Sequence, residues 1–184
     1  MVIDVYVDGI LVAGDDLTEI DNLKHFLDTA FKIKDLGEIH YFLGLEITKE
    51  HSGFLISQHK FIMDMLSEFH CSDVSSVVAP LDPHVKLSAE LGDLLCDPSM
   101  YRRLVGKLNY LQHTRPDLSY AIQHLSQFMS APKVPHLDVV LHVLRYLAGT
   151  SCLGLRLSAI SDFSLQVFLL WMNSESTVEW VLAA

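Results

Sequence analysis

The segment DVYVDGILVAG, residues 4–14, sets the fold class. Two alternating apolar runs, Val5–Val7 and Ile10–Val12, flank the dipeptide Asp8-Gly9. Asp-Gly between such runs predicts a two-residue turn and a tight β-hairpin. Just beyond, Asp16 and Glu19 have capping spacing, and Ile20, Leu23, Phe26, Leu27, Ala30 and Phe31 recur at helical spacing. These predict a helix of about four turns with one buried face. Residues 34–58 carry β-rich segments at 39–48 and 54–57 around the turn-like Glu50-His51-Ser52-Gly53, a second hairpin. Strand, strand, helix, strand, strand is an α+β pattern, in which the helix is expected to cover one face of a small antiparallel sheet.

Beyond Gln58 the periodicity is helical. Phe61, Ile62, Met65, Leu66 and Phe69 form one stripe, and residues 70–99 follow as a long extended connection rich in Pro, Ser and acids. Asp97-Pro98 caps a helix with the stripe Tyr101, Leu104, Val105, Leu108 and Leu111. Thr114-Arg115-Pro116-Asp117 punctuates before a second stripe of Leu118, Ala121, Ile122, Leu125, Phe128 and Met129. After APKVP a third helix carries Val139, Val140, Val143, Leu144 and Leu147, with Gly149 read as its C-cap. Short connections imply antiparallel packing of these helices. Tyr41, Phe42 and Tyr101 read as core aromatics. The tail from about Ser158 has no Lys or Arg and conflicting cues.

Half of the 184 residues are hydrophobic and 20% are charged, the composition of a folded chain. The longest apolar stretch, LQVFLLWM at 165–172, is far short of the roughly 20 residues a bilayer span needs, so no membrane association is expected. Cys71, Cys96 and Cys152 are odd in number and widely spaced, which fits reduced thiols in an intracellular setting, cytoplasmic or nuclear. Net charge is −10, but Met100–Arg156 holds seven basic residues and two acidic ones, a local balance of +5. Such asymmetry marks a nucleic-acid-facing segment or a set of solvated helix faces. No glycine-rich phosphate loop and no local nucleophile-and-base signature is present, and no small-molecule cofactor is expected. A lone aspartate in a hairpin turn is ordinarily a turn former.

Motifs add to this reading. YVDG at Tyr6–Gly9, with apolar strands on both sides and GDD at 14–16, resembles the Y-V-D-D catalytic hairpin of reverse transcriptases. FKIKDLGEIHYFLGLEI (31–47), GFLISQHKFIMDML (53–66), YRRLVGKLNYLQHTRPDLSYAIQHLSQFMSAP (101–132) and HLDVVLHVLRYLAGTSCLGL (136–155) resemble, in order and spacing, the Pol polyprotein of copia-type LTR retrotransposons. The resemblance runs from Val2 to about Ser161. It implies a partial polymerase palm over residues 1–70, with the YVDG hairpin and a primer-grip-like hairpin. An extended linker over 71–97, a mainly helical thumb- and connection-like segment over 98–157 and a divergent tail over 158–184 complete the implied organisation.

The same resemblance implies an RNA-directed DNA polymerase using Mg2+, with Asp8 as a metal-binding catalytic aspartate and an RNA/DNA primer–template as partner. Gly9 stands where the family has a second aspartate, and the family's N-terminal palm, fingers and RNase H motifs have no match here. The expectation is a polymerase fragment that is inactive alone, completed if at all by the remainder of a reverse transcriptase. Arg102, Arg103, Lys107 and Arg115 are the expected phosphate contacts, since Lys and Arg supply most sequence-independent affinity for nucleic acid. The alternative is a non-catalytic nucleic-acid- or protein-binding module retained from the element.

Overall fold

In a computed structural model, residues 1–6, 9–82 and 84–158 are described. Two compact units divide at Ile39/His40.

In the first unit, β1 (Val2–Tyr6) pairs antiparallel with β2 (Gly9–Ala13), Tyr6 opposite Gly9 and Val2 opposite Ala13. The hairpin is as expected, but its turn is not. Gly9 is the first residue of β2, so Asp8-Gly9 is not the two-residue turn; Val7 and Asp8 intervene and lie outside the described residues. The reason is parity. Moving the turn by one position changes the pairing by two residues and leaves Val5 and Ile10 on the same face, so hydrophobic alternation cannot choose between the two registers.

Helix α1 (Leu17–Phe31) starts where the capping pattern places it. Asp16 accepts from the Thr18 and Glu19 amides at 2.9 and 3.2 Å. Its expected buried face is absent: no α1 residue is buried, and Phe26 and Phe31 are 61% and 68% exposed. A sheet of two five-residue strands has too little area to cover a helix of fifteen residues.

The second unit contains a four-stranded antiparallel sheet in the order β3 (Tyr41–Phe42), β4 (Leu45–Glu50), β5 (Gly53–Ser57), β6 (Leu155–Ser158). The predicted strand over 39–48 is interrupted. Leu43 and Gly44 both take positive φ, 50° and 79°, and form the two-residue turn between Phe42 and Leu45. Tyr41, read as core, is exposed. Strand β6 was expected to belong to a helical stretch. It pairs instead with β5, Ile56 opposite Leu155, because Leu153-Gly154 lets the chain leave the last helix and return to the sheet edge.

Four helices build the core of this unit: α2 (His59–Glu68), α3 (Ser99–Leu111), α4 (Ser119–Ser126, preceded by a 3-10 turn at Pro116–Leu118) and α5 (Val134–Thr150). All five stripe residues of α3 are buried, as are Ile62, Met65, Leu66, Leu118, Ala121, Ile122, Leu125 and the five α5 residues expected from their spacing. Burial of one Leu or Ile side chain contributes about 1.5–3 kcal/mol, so this cluster dominates the unit's stability. Gly149 is not a C-cap, since α5 continues to Thr150. Its role is close approach, because a Cβ there would lie 2.7 Å from Ser76 Cβ. The described residues of the range 70–97 form no helix or strand, and Ser75, Ala79 and Ser88 meet side chains of α5.

Candidate functional site: the hairpin carboxylate and the cations of the helical unit

Mg2+, the ion the resemblance implies, takes oxygen ligands in near-octahedral geometry. Asp8 would be one such ligand and lies outside the described residues. Gly9 offers no side-chain oxygen. Asp16 is spent as the α1 cap, with Oδ1 accepting two backbone amides. Among the described residues no group of three or more His, Cys, Asp or Glu side chains could hold a metal ion. The described residues alone do not fit a pair of divalent ions.

The four candidate cations have different surroundings. On α3, Arg103 Nε lies 3.4 Å from Glu68 Oε1 of α2, and Lys107 Nζ bonds Glu68 Oε2. Spacing of four residues puts both cations on one helix face. Each also lies over a ring of α2 or its C-cap: Arg103 is 5.4 Å from the centroid of Phe69, the C-cap, and Lys107 is 5.9 Å from that of Phe61. Lys107 holds the Glu68 carboxyl below its ordinary range, chiefly by hydrogen bonding. Arg102 turns elsewhere, donating to the Met129 and Ser130 carbonyls at 2.8 and 3.0 Å, where the chain leaves α4.

Arg115 is a correction. Its side chain is 1% exposed, and its donors go to Asp117 Oδ1 and Oδ2 at 3.0 and 2.7 Å and to the Thr150 carbonyl and hydroxyl at 2.9 Å each. A guanidinium buried with these partners ties the 3-10 turn to the end of α5 and presents no surface to a phosphate. The charge count identified Arg115 as basic but carried no information on direction. The signal was in Thr114-Arg115-Pro116-Asp117: a carboxylate two residues from an arginine in a tight turn can close a bidentate pair.

Of the seven basic residues between Met100 and Arg156, six have side-chain partners shown among the described residues. Besides the four above, Arg145 donates to the Ser75 carbonyl and hydroxyl, and Arg156 pairs with Glu50 at 2.9 Å. Sequence reasoning missed Phe61 and Phe69 as the rings beneath Lys107 and Arg103, though both stand in the α2 stripe, eight residues apart. Tyr101, expected in the core, is fully buried and donates to the Leu125 carbonyl at 2.7 Å.

The order of antiparallel hairpin, capped helix and second hairpin is compatible with part of a reverse transcriptase. The comparisons agree. A family model described as reverse transcriptase (RNA-dependent DNA polymerase) matches residues 1–83. The chain is 43% identical over 164 residues to the retrovirus-related Pol polyprotein from transposon RE1 of Arabidopsis thaliana, covering 89% of this chain and 11% of that protein. It is 38% identical over 165 residues to the uncharacterized mitochondrial protein AtMg00810 of the same plant, covering 89% of this chain and 68% of that one. The Pol polyprotein from transposon TNT 1-94 of Nicotiana tabacum is 35% identical over 158 residues, covering 80% of this chain and 12% of its own length. No solved structure matches. The chain belongs to the reverse transcriptase family of copia-type retrotransposon Pol polyproteins. It spans about a tenth of the first Pol polyproteins it matches, 11% of each.

Proposed function

We propose that this chain is a segment of a retrotransposon reverse transcriptase that does not polymerise alone. The observation that carries the reading is Asp8-Gly9. Phosphoryl transfer by two metal ions needs carboxylates to hold both ions against the attacking and leaving oxygens. Glycine removes one of them at the position where the resemblance puts an aspartate. On this reading residues 1–70 derive from the palm, 71–97 from a linker and 98–157 from thumb and connection, and the partner is an RNA/DNA primer–template. Arg102, Arg103 and Lys107 remain the phosphate contacts proposed, each exchanging a present partner for a phosphate oxygen. An intracellular setting is supported by three unpaired cysteines. No helix of the described residues is long and apolar enough to cross a membrane. No observation favours a retained binding module without catalysis over this reading.

The test is primer extension on an RNA template with Mg2+ or Mn2+, comparing the chain with its Asp8→Ala and Gly9→Asp variants. The expected outcome is no extension by the chain itself. Extension that disappears on Asp8→Ala would overturn the proposal.

A further inference from the structure

Helix α4 is clad in uncharged groups. Although 20% of the chain is charged, residues 118–137 carry one formal charge, that of Lys133, with histidine neutral. Ala121, Ile122 and Leu125 are buried, and the outer side of the helix and its C-cap present Tyr120, Gln123, His124 and Gln127. Tyr120 is 73% exposed. Its ring and that of His124, one turn on, are parallel to within 5°, with centroids 6.1 Å apart. His124 is held in turn. Phe128 meets it edge-on at 5.9 Å and stacks at 4.0 Å on His136, which is fully buried and engaged through both ring nitrogens. The row of rings therefore runs from solvent into the core, and its inner members are fixed by packing.

A flat aromatic face among amides suits either a planar ligand or an apolar protein surface. The electrostatics choose between them. No Asp or Glu stands between Asp117 and Asp138, and Asp117 is committed to Arg115. Where the chain leaves α4 it is met by Arg102, an exposed residue whose guanidinium lies on the Met129 and Ser130 carbonyls. An anionic chain laid along α4 thus meets no carboxylate of that helix and finds a cation at its end. Unpaired nucleic acid supplies both parts, since every base has a π face to lay on a tyrosine and phosphate suits the arginine fork. Gln123 and Gln127 each offer donors and an acceptor to base edges.

We infer that Tyr120 and His124 form a stacking shelf for an unpaired nucleobase, with Arg102 receiving a neighbouring phosphate. The inference rests on the nucleic-acid partner proposed above. It adds a preference for single strands, which phosphate contacts alone do not create.

The experiment is fluorescence anisotropy of a labelled single-stranded RNA, and of the same strand in a full duplex, titrated with the full chain at several salt concentrations. Tyr120→Leu should weaken single-strand binding about 5- to 150-fold without changing its salt slope. Duplex binding should stay as it was, because paired bases are already stacked. Tyr120→Phe should bind as the unsubstituted chain does. Tyr120→Trp should bind too, with the added indole quenched by the strand beyond any change in the two native tryptophans. Lys107→Ala should reduce the salt slope by about one for both probes. Single-strand affinity unchanged in Tyr120→Leu, or lost equally in Tyr120→Phe, overturns the shelf; a slope still lowered by Lys107→Ala then leaves the phosphate contacts standing. Binding of neither probe by the folded chain overturns both. Self-association without nucleic acid that Tyr120→Leu removes assigns the face to a protein and overturns the shelf. If Tyr120→Leu does not fold, Tyr120→Trp decides, and absence of quenching overturns the shelf.

Discussion

The Tyr146 hydroxyl donates to Asp117 Oδ2 at 2.9 Å, and the same carboxylate grips Arg115 with both oxygens. Thr150 completes the network, accepting from Arg115 and donating to the Tyr146 carbonyl. Asp117→Ala leaves a buried guanidinium without its counter-charge, bonded only to Thr150, and should cost about 3–5 kcal/mol, whereas Tyr146→Phe removes one hydrogen bond and should cost about 1 kcal/mol. Urea unfolding midpoints of the two variants measure the difference.

Two helical glycines should respond oppositely to alanine. Gly106 lies inside α3 with nothing near the position of a Cβ, so Gly106→Ala should stabilise by about 0.5–1 kcal/mol. At Gly149 the same methyl would press on Ser76, so the propensity gain should be cancelled or reversed. Thermal unfolding of both variants checks the contrast.

Burial pushes the Tyr101 and Tyr146 phenols up to about 12, with Asp117 adding to the shift at Tyr146. Unfolded tyrosine ionises near 10, so between these values the unfolded chain holds fewer protons than the folded one. The stability due to these two groups is complete below about pH 10 and is lost progressively as pH rises toward about 12. Among the six tyrosines, a titration of phenolate absorbance should show a late class that ionises together with loss of helical signal.

Leu144→Ala, in the centre of the helical core, should destabilise by about 2–5 kcal/mol. Phe26→Ser on the exposed face of α1 should shift stability by no more than about 0.5 kcal/mol. Denaturant unfolding of the two variants tests whether α1 buries its apolar stripe; an equal cost would show that it does.

Periodicity was informative where one element supplies its own evidence. The α3 stripe of Tyr101, Leu104, Val105, Leu108 and Leu111 was legible because a helix buried on one side must repeat its apolar residues near 3.6. The same stripe over α1 was legible as a helix but not as a surface, since spacing states which residues share a face and not whether anything covers it. Leu43 hid a turn, because a β-compatible leucine at φ 50° gives no local sign of a left-handed backbone. Strand β6 depends on a partner about a hundred residues earlier, and four residues carry too little pattern to announce it.

The candidate site was legible by type and less so by direction. Arg102, Arg103, Lys107 and Arg115 are all cations in the sequence. Only the packing shows that one is buried against Asp117, one reaches the carbonyls of Met129 and Ser130, and two share Glu68. The Asp8-Gly9 substitution needed no structure to be seen, because its consequence follows from the number of oxygens a side chain can offer.

The pairing of β5 with β6 also sets a timetable for the chain as it is made. Ser57 and Leu155 are separated by 97 residues, so β5 emerges from the ribosome and waits with one edge unpaired while α2 through α5 are synthesised. Closure of such a distant contact is slow relative to local helix formation. During that interval the β4–β5 hairpin presents a strand edge available to other chains. A ribosome stalled before residue 155 therefore holds an aggregation-prone intermediate, and only the pairing of residues 155–158 with β5 ends that exposure.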